Sequence, residues 1–564
     1  MEVMEYKTKK QEGGMRSAAG DFPAAGEAVL FLLYALISFL CAFFRILINT
    51  DEMWNFAFGE NIAEGLLPYR DFNYLQTPFS ALVNALLFKV FGGHILVMRL
   101  GGAVLFTAMA VILYRNARVL GAGRLLASLP GFALILIFSS NIFFEYAGFC
   151  LCVLLAVMGM DLKAASVICS PEISISGERA DYSQWTSSSA KGRNISGEDE
   201  SVRKARRWLS PAWQILPGIL GGLAMLSKQT YGTFIAAASW VCVPLIIASG
   251  GRKAKEAVRL TFFRMLGSSI PCFVFLFYLL GSGTFSDFWE MCFLGIRTFS
   301  SRYRYLSMMR ENAGLFIAGM AFPAALAAGA VFAVLLWRQA PGKREGRCQA
   351  VQMIVILIYT IFGCINMVPL ANVYHFETCS IPALLIIELL LAAAFRGKAP
   401  AGSLKAKAEK GVRLLSWIAI LAELIFLLVY NPIDVGLHFR LQTDIPCFEY
   451  TFISEEFSAE IRQVIDFIKA ERKQGNEVYV LDNCAGYYLR PLGIYHKYLD
   501  MFLLGNLGLK TPQECLQETL LPGTVYLLPD KTRKNTQYPR SAVESFRKGL
   551  KPDGVLGSYE IYRR

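Results

Sequence analysis

Two carboxylates stand side by side at Asp51 and Glu52, within a few residues of a long apolar run. A charge that close to lipid is costly, so such a carboxylate usually has a partner or a task. Similar polar groups recur at the ends of later apolar runs. They are Glu145, Lys228 in "GLAMLSKQTYG", Arg297, Arg302 and Arg304, and Tyr374 with His375 in "NVYHFE". The segment after Asp51 adds Arg70, Asp71 and Gln76. A carboxylate facing several cations can take a proton from an attacking hydroxyl or amine. The cations can meanwhile steady an anionic leaving group such as a phosphate. That chemistry requires residues far apart in sequence to share one cavity, and the apolar runs decide whether they do.

The chain has 564 residues, 54% of them hydrophobic, and a net charge of +12. Its mean hydropathy is +0.41 and its pI about 9.0. Repeated apolar stretches near the ~20 residues that cross ~30 Å of hydrocarbon place it in a bilayer. Lys and Arg sit in short loops between these stretches rather than on one soluble face. Positive-inside topology accounts for them, and a nucleic-acid partner is excluded. Thirteen cysteines form no CxxC pair, so they read as small apolar residues rather than metal ligands.

The Lys-bearing residues 1–26 are expected to be a cytoplasmic tail, and 27–48 the first span, which puts Asp51 and Glu52 on the outer surface. "TPFSALVNALLFKVFG", 77–92, is too short to cross and is expected to lie in the interface as a helix. Further spans are predicted at 95–114, 125–141, 144–162, 212–227, 230–249, 260–281, 313–337, 350–369, 377–395 and 414–430. The expected fold is therefore an α-helical polytopic membrane protein of about eleven transmembrane helices, 27–430. Only the outward loop 282–312, with its arginines, breaks the charge bias. The Ser-rich, charged stretch 163–210 is expected to be a disordered cytoplasmic insert, with "NIS" at Asn194 a chance sequon. Residues 431–564 read as a small extracytoplasmic α/β domain. Ile461, Val464, Ile465 and Ile468 mark a helix capped near Gly475, and "NEVYVLD", "GTVYLLP" and "GSYEIYR" mark strands.

On this topology Asp51, Glu52, Arg70, Gln76, Glu145, Lys228, Arg297, Arg302, Arg304, Tyr374 and His375 all reach the outer leaflet. Transfer of a sugar from a lipid phosphate suits such a set, and a lipid tail requires a groove between spans. The run "TDEMWNFAFGENIAEGLLPYRDFNYLQTPFSALVNALLFKVFG" resembles the first outer loop of the GT-C glycosyltransferases. The similar branch holds protein O-mannosyltransferases, the lipid A aminoarabinose transferase and related family-39-like enzymes. "GILGGLAMLSKQTYG" and "YHFETCSIPALL" resemble later spans of that family, and the resemblance covers roughly 27–430.

The resemblance implies Asp51 as the catalytic acidic residue with Glu52 beside it, and Glu145 near a second acidic position. It implies Lys228 near the lipid phosphate, with His375 and Tyr374 at the same site. Gln76 stands near the place where the aminoarabinose enzyme carries a lysine, which moves phosphate binding toward Arg70 or Arg297, Arg302 and Arg304. The implied activity is inverting transfer from a polyprenyl-phosphate-sugar donor to a glycan, lipid or protein acceptor. No cofactor is required, and a divalent metal is compatible. Two rivals are a lipid-linked-sugar flippase, with charges near the midplane, and a non-catalytic membrane scaffold.

Plainer readings stand beside each residue. Asp51 fits an N-cap of a helix starting near Met53, and Glu52 a solvated interfacial charge. Glu145 fits a salt bridge between spans, and Lys228 a snorkelling span end. The arginines fit headgroup anchors, and His375 fits packing at a rim. Intramembrane Glu388 and Glu423 fit a hydrogen bond between helices.

Overall fold

The computed structural model describes residues 25–47, 50–169, 207–295, 304–339, 344–395, 400, 402–529 and 538–564. The expected N-terminal tail, most of the 163–210 insert with Asn194, and Arg297 and Arg302 fall outside these residues.

Helices α1 (Ala25–Phe43), α2 (Thr50–Ala63), α3 (Phe79–Phe91), α4 (Ile95–Val119), α5 (Arg124–Ile137) and α6 (Tyr146–Ile168) form the first part of the bundle. Helices α7 (Pro211–Met225), α8 (Gln229–Ser249), α9 (Ala254–Ser282), α10 (Ala313–Gln339) and α11 (Arg344–Gly363) follow. The last two crossings are α12 (Val373–Ser380) running into α13 (Leu384–Ala394), and α14 (Leu404–Ile425) with its extension to His438. Among the described residues nine helices are long and apolar enough to cross a membrane.

The other two expected spans fall on α5 and α7, which have only 14 and 15 residues. Both contain proline, at Pro130 and Pro217, and both pack against longer neighbours. The predicted interfacial helix is α3. The expected insert begins later than 163, because α6 continues to Ile168. The predicted boundary at 430 falls within the final helix, which runs on to His438 before the chain leaves the bundle.

Beyond it, β1 (Arg440–Leu441) pairs antiparallel with β2 (Phe452–Ile453). Helix α15 (Glu455–Lys473) follows, its N-terminus capped by Ser454. The stripe of Ile461, Val464, Ile465 and Ile468 is buried, and Gly475 carries the positive φ that ends the helix. The mixed sheet has the order β3 (Glu477–Val480), β4 (Thr524–Pro529), β6 (Tyr559–Arg563), β5 (Lys551–Leu556). The three predicted strands are β3, β4 and β6; β5 is polar and exposed along most of its length, so it carries no apolar alternation to announce it.

This small domain rests on α2. Trp54 Nε1 donates to the Asn483 carbonyl at 2.9 Å, and Arg490 Nη1 donates to Asn61 Oδ1 at 2.5 Å. The bundle and the domain thus share the helix that begins at the paired carboxylates.

Candidate functional site

Helix α2 starts at Thr50, so Asp51 lies in its first turn rather than at the cap expected near Met53. Glu52 fixes the position of that turn. Its Oε1 accepts from Arg45 Nε at 3.1 Å and Arg99 Nε at 2.7 Å, and its Oε2 accepts from Arg99 Nη2 at 3.1 Å. Arg99 Nη1 reaches the Arg45 carbonyl at 2.5 Å. All three side chains are buried. Burial raises the Glu52 carboxyl, but Arg45 and Arg99 outweigh it and hold it below the usual glutamate range. Glu52 is therefore not the solvated interfacial charge of the plainer reading, and its two oxygens are taken up in structure.

Arg45 also lies over the Phe143 ring, 5.0 Å from its centroid, which ties α2 to the segment leading to Glu145. That segment crosses α4 at Gly102, where a Cβ would come within 2.4 Å of the Phe143 backbone. Glu145 ends the segment as the N-cap of α6. It accepts from Ala147 N at 2.7 Å, from Gly148 N and from the Tyr374 hydroxyl. Among the described residues no salt bridge to another span is involved. Burial pushes its carboxyl above the usual range, against the pull of Tyr374, the two amides and Lys228.

Lys228 is delivered by a tight turn between α7 and α8. There Gly232 packs so closely on Ala224 that a Cβ would sit 2.1 Å from its carbonyl. The 75–80 segment is stapled to this turn by Thr77 Oγ1 to the Met225 carbonyl (2.8 Å), Gln229 Nε2 to the Leu75 carbonyl (2.9 Å) and Ser80 to Ser227. Lys228 does not snorkel. Its Nζ donates to Asn366 Oδ1 at 2.8 Å and lies 5.2 Å from the centroid of the Tyr146 ring. Burial holds its ammonium below the usual lysine range, and Glu145 and Asp51 pull it back up.

Asp51 is accessible to water yet has protein on most sides. Enclosure pushes its carboxyl above the usual aspartate range, while Lys228 and Arg45 draw it down. Tyr146 and Tyr374 lie within electrostatic reach of the same carboxylate. Gln76 sits beside the Tyr146 hydroxyl. The structure thus brings Asp51, Glu145, Lys228, Tyr374 and Gln76 to one place at the domain end of the bundle.

His375 stands at its edge. Its Nδ1 lies 2.8 Å from the Leu370 carbonyl and its ring within electrostatic reach of Lys228. Arg70 is elsewhere: it is exposed and engaged by its own neighbour Asp71 at 2.8 and 3.1 Å. Arg304 lines a separate space of about 510 Å³ with Tyr305, Phe322, Pro323, Cys364, Met367, Val368 and Ala371. Asn366, the partner of Lys228, belongs to the same 364–367 turn, so this largely apolar groove lies behind the lysine. Sequence reading missed Tyr146 and Asn366, which are ordinary residue types in apolar surroundings. Arg99 left a signal, a cation inside a predicted span. Among the described residues no cluster of three or more His, Cys, Asp or Glu is arranged to hold a metal.

A polytopic bundle, a first-loop helix with an acidic start and a small α/β domain resting on it form an arrangement that recurs among solved structures. The structure resembles ArnT, an aminoarabinose transferase, from Cupriavidus metallidurans bound to undecaprenyl phosphate, with a TM-score of 0.52 and 16% identity over 96% of this chain and 98% of that one. The apo state of the same protein gives 0.51 and 13% over the same spans. An Archaeoglobus fulgidus oligosaccharyltransferase in its apo form matches with a TM-score of 0.45 and 12% identity, over 83% of this chain and 64% of that one. No family profile matches the sequence, and no curated protein does.

Proposed function

We propose that the protein is a membrane glycosyltransferase. It would move a sugar from a polyprenyl-phosphate-linked donor to an acceptor at the outer face of the cell membrane. The observation that carries this reading is that Asp51 and Lys228 lie within electrostatic reach of each other, with the lysine's partner Asn366 on the turn that walls the apolar groove. A polyprenyl chain lies in that groove, with Arg304 at its side and its phosphate toward Lys228. ArnT, which shares the fold, holds undecaprenyl phosphate, a ligand of the class this groove suits.

In the reaction, Asp51 takes the proton of the acceptor hydroxyl or amine as that atom attacks the anomeric carbon. The bond from that carbon to the phosphate oxygen breaks, and its electron pair leaves on the phosphate. Lys228 stabilises the charge that develops there. Attack opposite the leaving group inverts the anomeric centre. A carboxylate held above the usual aspartate range is a better proton acceptor near neutral pH than an exposed one. Glu145 orients Tyr374 and tempers the field around Lys228, and Glu52 acts as a positioning residue through α2. No step calls for a metal.

The test uses the purified full chain in lipid nanodiscs with radiolabelled polyprenyl-phosphate hexoses and amino-pentoses. Release of polyprenyl phosphate by the wild type and its loss in Asp51→Asn support the reading. A folded wild type that turns over no donor in the panel, or an Asp51→Asn protein as active as the wild type, rejects it.

A further inference from the structure

We propose that the cleft between α2 and the C-terminal domain is the acceptor subsite, and that the acceptor it takes is a carbohydrate. This rests on the transferase reading above. Asp51, Trp54, Phe58 and Asn61 recur at intervals of three and four along α2, so they share one face of the helix. At 1.5 Å per residue, Trp54 stands about 5 Å along the axis from Asp51. The opposite face is already committed: Glu52 pairs with Arg99 of α4, and Phe56 packs on Phe88 of α3 at 5.0 Å between centroids. The Asp51 face turns toward the domain, and there the cleft opens. Trp54, Tyr495 and Tyr498 line it together with Asn73, Arg490 and Asn506.

Three polar atoms in this lining are buried without a partner among the described residues: Asn73 Oδ1, Asn506 Oδ1 and Arg490 Nε. Their residues are only 7%, 2% and 3% exposed. A buried polar atom left unpaired is costly and asks for an explanation. None of the three side chains is loose. Asn73 Nδ2 donates to the Asn506 carbonyl, and Asn506 Nδ2 to the Met501 carbonyl at 2.9 Å. Arg490 donates to Asn61 Oδ1 at 2.5 Å and to Asp500 Oδ2 at 3.0 Å. Trp54 is held by its bond to Asn483.

Two acceptors and one donor are therefore held without a partner among the described residues, in side chains that line the cleft beside Trp54, Tyr495 and Tyr498. A pyranose matches that pattern, because its hydroxyls both donate and accept and its C–H faces stack on aromatic rings. An anionic ligand matches less well. The one cation of the cleft, Arg490, is already met by Asp500 at 3.0 Å and Glu60 at 3.6 Å. The deep part of the cleft measures about 40 Å³. That deep part has room for roughly three waters. In this proposal a sugar ring rests across the mouth, and its hydroxyls reach toward the two amides and the guanidinium. A further hydroxyl of the same acceptor lies one helical turn away, toward Asp51.

The experiment is saturation-transfer NMR on the full chain in nanodiscs, with neutral and amino-sugar di- to tetrasaccharides as probes. The variants are Asn506→Ala, Ala57→Trp, which fills the cleft, and the milder Trp54→Phe. Each is scored only if its thermal unfolding matches the wild type, and Trp54→Phe serves if the other two fail to fold. The expected result is saccharide binding by the wild type that weakens about ten-fold or more in the variants, the loss of a buried hydrogen bond or a filled site. Binding of equal strength in all the proteins places the acceptor elsewhere and overturns the proposal. No binding by the folded wild type leaves the cleft a water pocket and also overturns it. Donor turnover is read on the same samples. Its absence from the wild type overturns the transferase reading, whatever the saccharides do.

Discussion

Two buried charge clusters in this molecule are built from similar parts and put to different ends. Inside the bundle, Arg264 of α9 donates to both oxygens of Asp161 of α6 at 2.7 and 3.0 Å, and to Gln214 Oε1 at 3.0 and 2.7 Å. It also reaches Ser239 Oγ at 3.0 Å, and Tyr359 donates to Asp161 at 2.7 Å. Five side chains from α6, α7, α8, α9 and α11 close on one another and leave nothing facing water. At the domain end, Asp51 and Glu145 lie within electrostatic reach of Lys228, Asp51 keeps access to water, and among the described residues the short polar contact of Lys228 is to Asn366. A buried ion pair with every lone pair met is a strut. A cluster of the same charges that stays open on one side is where a substrate can complete the coordination.

The largest expected difference comes from Asp51→Asn. The amide has nearly the same shape and cannot accept the acceptor's proton, so donor turnover should fall about 10²- to 10⁴-fold. Thermal unfolding should scarcely move. A large loss of stability with little loss of turnover would make Asp51 a strut like Asp161 and erase the contrast.

The reverse is expected of Arg264→Met. It strands the Asp161 carboxylate in the bundle and should cost about 3–5 kcal/mol of stability, whereas Asp161→Leu with Arg264→Met should recover most of it. Turnover per folded molecule should be unchanged in the pair. Denaturant unfolding beside a donor assay checks both, and a catalytic defect in the folded double variant would make the inner cluster part of the site.

The same contrast explains what could be read from the sequence. Nine of the eleven expected spans and the helix over 79–91 were legible because hydropathy and length are one-dimensional signals. Even so, α5 and α7 came out short, since buried helices that lean on longer neighbours carry the same apolar composition. Asp51, Glu145, Lys228 and Tyr374 were legible as site candidates because each is a polar residue at a span end. Their partners were not. Tyr146 and Asn366 matter through where the 144–146 and 364–367 turns happen to meet. The sequence likewise offers no cue that Glu52 faces two arginines while Asp51, one residue away, stays accessible to water. On a helix, neighbours point 100° apart, and which of two adjacent carboxylates turns inward depends on tertiary packing. Arg70 looked equivalent to the other cations until Asp71 was seen to hold it at the surface.

Lys228→Gln sharpens the comparison from the cation's side. On the proposed mechanism, in which Lys228 meets the leaving phosphate, removing its charge should weaken transition-state and donor binding by about ten- to a hundred-fold. The protein should remain folded, because Asn366 can pair with the amide. If the change appears in unfolding rather than in turnover, the lysine belongs with the struts.

The smallest effect separates the cleft from both clusters. Glu60 lies on α2 beneath the domain, 3.6 Å from Arg490. Burial pushes its carboxyl up to about 7, Arg490 pulls the other way and Glu64 adds to the rise. In the unfolded chain the same group titrates near ~4.3, so the folded state binds the proton more tightly. Its contribution to stability is then fully present below the unfolded value and is lost as pH rises through about 7. The change should be on the order of 1–3 kcal/mol. Glu60→Gln is neutral throughout and should flatten that part of the profile. Thermal unfolding of the wild type and the variant, followed from mildly acidic to mildly alkaline pH, measures the difference. Two profiles of equal slope would mean that Arg490 keeps Glu60 ionised across the range, and would place this pair with Glu52 and Arg99 as a fixed joint rather than a titrating one.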